Sequence, residues 1–367
     1  MIERAQSAPT PAAEPRDCLP PWFPMPCPVR GSRSVPGTSA AACPSGSPAC
    51  VERASRPVES TRKEIEVPRT MTHAALTSRI LDVDRGNLLG PVRPLHDRGG
   101  WVADLRVDQT DPFFFDHPLD HVPGMLLVCA VADLVVVGAD IPAAGRVTAE
   151  LTFHSMAELG PELELYVGQF DGRRCHTVRI AQESTLVADG WVEFAPVDLP
   201  AWPNHLGGSG RPPAQGSLVH RVRPENVMIG DPSVTDDQVT AAVVSPVEGH
   251  ALSGRRPDVR RTEGVVEAGR QLCTWLLHRM GGWSLDTQIL LHGVTVDLPV
   301  GMPRSLPLTL RWHTLPLPAG RVRFRFDLIA GGDGAGDGGS VVGSLVYTGM
   351  VMRPKVYARF RANRNAG

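Results

Sequence analysis

The run Met125-Leu126-Leu127-Val128-Cys129-Ala130-Val131-Ala132-Asp133-Leu134-Val135 constrains this chain more than any other stretch. Its apolar residues cover nearly every face of a helix, so the helix must be enclosed on most sides rather than laid along a surface. Pro123 near the first helical position, with Asp120 upstream as a cap, places its start. The stretch from Pro123 to Ala139 is short for a bilayer, carries Asp133 and opens on a Pro-Gly pair, which predicts a wrapped core helix instead of a membrane span. Strand-length segments then follow at Gly145–Phe153, Glu162–Gln169, His176–Glu183 and Gly190–Phe194, spaced for an antiparallel sheet.

The plan recurs. A second helix is expected near Asp258–Met280, closed by Gly281-Gly282, with strands at Ile289–Asp297, Leu306–Trp312, Val322–Ile329 and Ser340–Met350. Residues 201–217 have linker composition, so the two halves are read as 71–200 and 218–360, with 361–367 as a C-terminal tail. The glycine-rich stretch 331–339 lacks the Lys-Ser/Thr and following helix of a phosphate loop and is expected to be a hairpin loop. One long helix and an antiparallel sheet, twice over, predict an α+β chain: a tandem double hotdog. In that fold each sheet curls round its helix, and two copies join edge to edge with ligands between them.

Composition bounds the rest. A chain of 367 residues suits two domains and an appendage. Prolines crowd before Met71, as in Pro20-Pro21-Trp22-Phe23-Pro24-Met25-Pro26-Cys27-Pro28, and no apolar period survives there. Residues 1–70 are therefore expected to be a disordered tail, with Met71 a candidate start of the folded chain. No secretory run is visible, and Cys18, Cys27, Cys43 and Cys50 lack the tight pairs that a zinc site wants; a cytoplasmic chain is expected. The formal net charge of −2 argues against a globally basic nucleic-acid or membrane-surface binder. Lys63 and Lys355 are the only lysines, so the arginine excess by itself says little about anion binding.

The sharpest local signal is Phe113-Phe114-Phe115-Asp116-His117-Pro118-Leu119-Asp120-His121-Val122-Pro123-Gly124-Met125-Leu126-Leu127. A helix N-terminus offers free N–H groups and a positive dipole end, suited to polarising a thioester carbonyl or holding an oxyanion. Gly124 and Met125 would supply those donors, and His121 stands at the mouth as a proton carrier. From Asp120 to Leu127 the string resembles the helix-mouth motif of the A-factor biosynthesis (AfsA-like) hotdog family. Three further stretches are similar to the family's other half: Val219-His220-Arg221-Val222-Arg223-Pro224-Glu225-Asn226, Glu267-Ala268-Gly269-Arg270-Gln271 and Arg353-Pro354-Lys355-Val356-Tyr357. The resemblance covers about residues 75–360, with the two halves in swapped order.

The resemblance implies an enzyme of γ-butyrolactone autoregulator synthesis in actinobacteria. It would transfer a β-ketoacyl group from an acyl-carrier-protein thioester to dihydroxyacetone phosphate, without metal or organic cofactor. Condensation to a butenolide phosphate would follow. His121 of one half and Glu267 of the other would form one composite catalytic site per chain. Arg270, with Arg255, Arg256, Arg260 and Arg261, is a phosphate candidate by guanidinium geometry. The chain would be a monomeric pseudo-dimer or a higher oligomer.

Other readings stay open at this point. Glu263, Glu267, Arg270, Thr274 and His278 form a stripe that a solvated helix face would also show. Asp116 and His117 read equally as turn-formers. His154, His250 and His292 read as isolated structural histidines. Cys129 stands where related dehydratases carry their acid, and reads as an inert buried thiol. A dehydratase, a thioesterase and a non-catalytic acyl- or lactone-binding protein are the functional alternatives.

Overall fold

The computed structural model describes residues 88–95, 99–138, 145–169, 174–197, 202, 211–254, 256–313, 316–317, 320–331 and 339–365. The expected tail 1–70, most of the linker and the centre of the glycine-rich loop lie outside the described residues.

The first half contains β1 (Arg93–Pro94), β2 (Gly100–Leu105), α1 (Gly124–Gly138), β3 (Gly145–Phe153), β4 (Leu163–Gln169), β5 (Cys175–Gln182) and β6 (Thr185–Ala195). The second contains β7 (Ser233–Val234), β8 (Gln238–Ala242), α2 (Thr262–Arg279), β9 (Gln288–Val300), β10 (Leu308–His313), β11 (Arg321–Ala330), β12 (Ser340–Met352) and α3 (Pro354–Asn365). All strands join one sheet in the order β1-β2-β4-β5-β6-β3-β9-β12-β11-β10-β8-β7, and every pairing is antiparallel. The halves meet where β3 pairs with β9, from Gly145 opposite Val300 to Thr152 opposite Gly293.

Helix α1 lies against β2 and β4, and α2 against β9 and β12. From Met125 to Val135 only Ala132 is not fully buried, which is how a helix without a polar face becomes stable in water. Among the described residues no helix is long and apolar enough to cross a membrane.

Several boundaries differ from expectation. Helix α2 starts at Thr262 and not near Asp258, because Val259 bridges to Pro303 and the Arg260 N–H donates to the Met302 carbonyl. Those bonds hold the preceding residues extended. Strand β6 starts at Thr185, since Glu183 at φ 54° turns the chain tightly out of β5. Residues 213–214 of the expected linker pair with 229–230 and so belong to the second half. The C-terminal residues from Arg361 to Asn365 continue α3 and do not form a tail.

Candidate active site

The turn before α1 is built by Asp111, whose carboxylate accepts the N–H groups of Phe113 and Phe114 at 2.8 and 2.9 Å. This turn does more than reverse the chain. The fully buried Asp116 carboxylate accepts the N–H groups of Val222 and Arg223 at 2.9 and 3.1 Å. Asn226 donates to the Pro112 carbonyl at 2.8 Å, and Arg221 donates to the Phe113 carbonyl at 2.6 Å while lying over the Phe113 ring. The aromatic-Asp-His string of the first half thus docks directly on the Val-His-Arg string of the second.

At the α1 mouth, His121 Nδ1 and Asp120 Oδ1 are 2.8 Å apart. Asp120 also accepts the Tyr357 hydroxyl at 2.7 and 2.9 Å and pairs with Arg361 at 3.2 Å; Arg361 in turn grips Glu158 at 2.6 and 2.7 Å. Burial works to raise the Asp120 pKa, but the bonds from His121 and Tyr357 and the charge of Arg361 leave it below the usual value. The expected helix cap is therefore an orienting carboxylate, engaged by a histidine and by the C-terminal helix. The Gly124 and Met125 N–H groups find no acceptor among the described residues, whereas Leu126 donates to the Pro123 carbonyl at 3.0 Å. Gly124 sits close to β9: a Cβ here would come within 3.3 Å of the Leu291 side chain.

Glu267, expected as the catalytic partner that orients the base or the hydroxyl, is completely buried in α2. Its carboxylate accepts Arg221 at 2.7 and 3.2 Å, Arg270 at 2.7 and 2.8 Å, and the Gln271 amide at 2.8 Å. Burial opposes the charge, yet the two guanidiniums outweigh it and hold the pKa down to about 2. Gln271 also donates to the Asn226 carbonyl and accepts the Met228 N–H, which locks α2 to the opening of its own half. The stripe from Glu263 to His278 is correspondingly a buried face: Glu263, Glu267, Thr274 and His278 are all buried.

Between the α1 mouth and α2 lies a cavity of about 160 Å³. Its apolar wall includes Phe114, Leu119, Leu277, Ile289, Leu291 and Phe324; its polar wall carries His117, His121, His220, Arg221 and Arg270. Gly124 and Met125 line it at the helix mouth, but Glu267 does not, and no carboxylate does among the described residues. Burial and the surrounding positive charge work against protonation of His220 and His117. Burial first, then His278, Arg270, His117 and Arg221, lowers the His220 pKa to about 3; burial, Arg221 and Arg270 lower that of His117 as well.

Two segments of the chain, residues 88–155 and 211–328, match one domain model, that of the A-factor biosynthesis hotdog domain (AfsA). The chain belongs to this family. A search of curated proteins finds none similar in sequence. Among solved structures, the chain is similar to an inactive mutant of the CurJ dehydratase in complex with a small compound, at 9% identity and a TM-score of 0.51, covering 73% of this chain and 97% of that one. It is also similar to an inactive mutant of the CurK dehydratase, at 11% identity and a TM-score of 0.50, covering 73% and 99%. At these identities the likeness is one of fold, an α+β hotdog fold.

Within this A-factor-family protein, three expected phosphate residues lie away from the cavity. Arg260 is buried and donates to the carbonyls of Arg304 and Leu306. Arg261 pairs with Asp133 of α1 at 3.0 Å and with Glu263 at 2.8 Å, so it ties the two helices together at the α2 mouth. Arg256 is exposed and pairs with Asp258, and Arg255 falls outside the described residues. The pocket at the α2 mouth measures only about 10 Å³. Cys129 is fully buried in α1.

Sequence reasoning missed His117, His220, Arg221 and Asp120 as site residues. Their signal was present as two short motifs more than a hundred residues apart, but pairing them needed the docking of one half on the other.

Proposed function

We propose that this protein is a tandem double-hotdog acyltransferase that moves a β-ketoacyl group from an acyl-carrier-protein thioester to a hydroxyl of dihydroxyacetone phosphate. The observation that carries the reading is the composition of the cavity: an apolar wall faces Arg221, Arg270 and three histidines, with no carboxylate lining it among the described residues. The buried Arg221 and the partly exposed Arg270 share the single charge of Glu267, which leaves net positive charge for an anionic acceptor. That lining also disfavours dehydration, for which a carboxylate in the cavity would be the natural partner of the histidine.

In the proposed reaction the acyl chain lies along Leu119, Leu277, Ile289 and Phe324, and the phosphate lies against Arg270 and Arg221. The thioester oxygen faces the N–H groups of Gly124 and Met125 at the α1 mouth. With Nδ1 held by Asp120, His121 offers Nε2 to the incoming hydroxyl. The hydroxyl proton passes to Nε2 as oxygen attacks the thioester carbon; the C–S bond breaks, and the leaving sulfur recovers the proton from His121. Glu267 acts as a positioning residue: it aims Arg270 and Arg221 and exchanges no proton with substrate.

Incubation with β-ketoacyl-carrier protein and dihydroxyacetone phosphate, followed by mass spectrometry, tests this. The expected product is the phosphorylated β-ketoester, reduced at least about 100-fold in His121→Ala, the usual scale for losing a general base. Equal product from His121→Ala overturns the assignment. Binding of the acyl-carrier protein without turnover favours a non-catalytic acyl-binding protein.

A further inference from the structure

His220 and His278 form a hydrogen-bonded imidazole pair that the acyl-transfer step does not use. The His278 Nδ1 atom lies 3.0 Å from the Trp283 carbonyl, an acceptor only, so Nδ1 carries the proton. With a single proton on the His278 ring its Nε2 atom is a bare acceptor, and it lies 2.9 Å from His220 Nε2. His220 must therefore donate from Nε2, which leaves a lone pair on Nδ1. That nitrogen has no hydrogen-bond partner among the described residues, and the ring lines the cavity. The backbone supports a special placement. His220 sits at φ 54° and ψ 50°, a left-handed conformation that is uncommon for a residue with a Cβ and that recurs at functional positions.

The surroundings define which proton such a base suits. His121 is backed by a carboxylate and is served when it turns cationic. His220 is backed by an imidazole and not by a carboxylate, and it stands among His117, Arg221 and Arg270, with Glu267 already engaged by the two arginines. A positive charge created there is unfavourable unless a negative charge forms beside it in the same step. Removing a proton from a neutral carbon acid does this, and Arg221 and Arg270 are placed to stabilise the resulting enolate.

We propose that His220 abstracts the C2 proton lying between the two carbonyls of the bound β-ketoacyl group, with His278 holding it in the required tautomer. This rests on the β-ketoacyl reading of the substrate but not on transfer to an acceptor. The C2–H bond breaks, an N–H bond forms at His220 Nδ1, and the electron pair spreads over both carbonyl oxygens. Return of the proton to C2 completes an exchange that needs no co-reactant. With an acceptor bound, the same enolate is a carbon nucleophile.

The partial reaction is measured without acceptor. A β-ketoacyl N-acetylcysteamine thioester is incubated with the protein in deuterated buffer, and C2 deuteration is followed by NMR against the protein-free rate. We expect acceleration by the wild type, unchanged in the matched control His154→Gln and reduced at least about 100-fold in His220→Gln. His278→Gln keeps an acceptor for His220 and should retain exchange, whereas His278→Leu should lose it with the fold intact by circular dichroism. A wild-type rate equal to the protein-free rate overturns the proposal, as does full exchange in His220→Gln. Should His220→Gln fail to fold, nitrogen-15 spectra of the wild type decide: an Nε2–H tautomer at His220 supports the proposal, and an Nδ1–H tautomer overturns it. Exchange without any ester product would sink acyl transfer and leave this proposal standing.

Discussion

Arg221 closes on Glu267 at 2.7 Å from a position 46 residues earlier in the chain, with both side chains buried. The same guanidinium donates to the Phe113 carbonyl, so one side chain joins α2, the opening of the second half and the turn before α1. A buried charge is tolerable only when paired and fully hydrogen-bonded, and Glu267 meets that condition with two arginines and an amide.

The depressed Glu267 pKa makes a prediction for acid stability. A carboxyl at about 2 when folded, against an ordinary 4.5, contributes stability that is present above 4.5 and lost as pH falls toward 2. The contribution is on the order of 3 kcal/mol. Urea melts of the wild type at pH 7 and at pH 3 should show about 2 kcal/mol of that loss, the rest falling below pH 3, while Glu267→Gln should be destabilised at pH 7 by about 3–5 kcal/mol and depend less on pH in this range. An acid limb unchanged in Glu267→Gln would refute the assignment.

The Tyr357 hydroxyl bond to Asp120 predicts that the C-terminal helix tunes His121. Tyr357→Phe should cost about 1 kcal/mol of stability, the net worth of one hydrogen bond. Turnover should fall roughly tenfold, as expected for losing about 1.4 kcal/mol of orientation, with KM little changed. Steady-state kinetics of the two proteins beside their thermal melts separate the effects; identical kinetics would show that Asp120 orients His121 unaided.

Two glycines of α2 should respond oppositely to alanine. A Cβ at Gly269 would lie 2.5 Å from the Tyr347 hydroxyl oxygen and 2.9 Å from Leu345, where Tyr347 donates to the Val266 carbonyl. Overpacking of this kind costs about 1–3 kcal/mol. At Gly264 a Cβ meets nothing within 4 Å, so the same change should stabilise by about 0.4–1 kcal/mol through the unfolded chain. Thermal melts of both variants check the contrast.

Arg261 gives a test of where the anionic acceptor binds. Arg261→Gln removes the link to Asp133 between the helices and should lower stability by about 1–3 kcal/mol. The KM for dihydroxyacetone phosphate should stay within about 2-fold, because the residue does not line the cavity. Arg270→Gln should raise that KM at least about 10-fold, the effect of losing some 1.4 kcal/mol of binding. A large KM change in Arg261→Gln would return the phosphate to the α2 mouth.

Much of the architecture was legible in the chain itself. Helix α1 was predictable to within a residue at each end because an all-apolar run has no alternative to burial, and most strands followed from alternation between turn residues. Helix α2 was placed four residues early because charged residues before it carry no periodic signal; their extended state comes from bonds to the Met302 and Pro303 region. In the site, the position of His121 at the mouth followed from the Pro123-Gly124 start, and its partner did not. Asp120 is adjacent in sequence, but its role depends on Tyr357 and Arg361, both more than 230 residues away.

Residue pattern alone determined two helix-and-sheet halves and the chemical types available at the α1 mouth, because burial and chain geometry act locally. Only the tertiary structure decided what those groups do. Glu267 has the same carboxyl in any reading, and the folded chain buries it and sets two guanidiniums against it. A pKa, a tautomer and a facing direction are set by neighbours within a few ångströms, and in this fold those neighbours are brought close from positions as far apart in sequence as Arg221 and Glu267 or Asp120 and Tyr357.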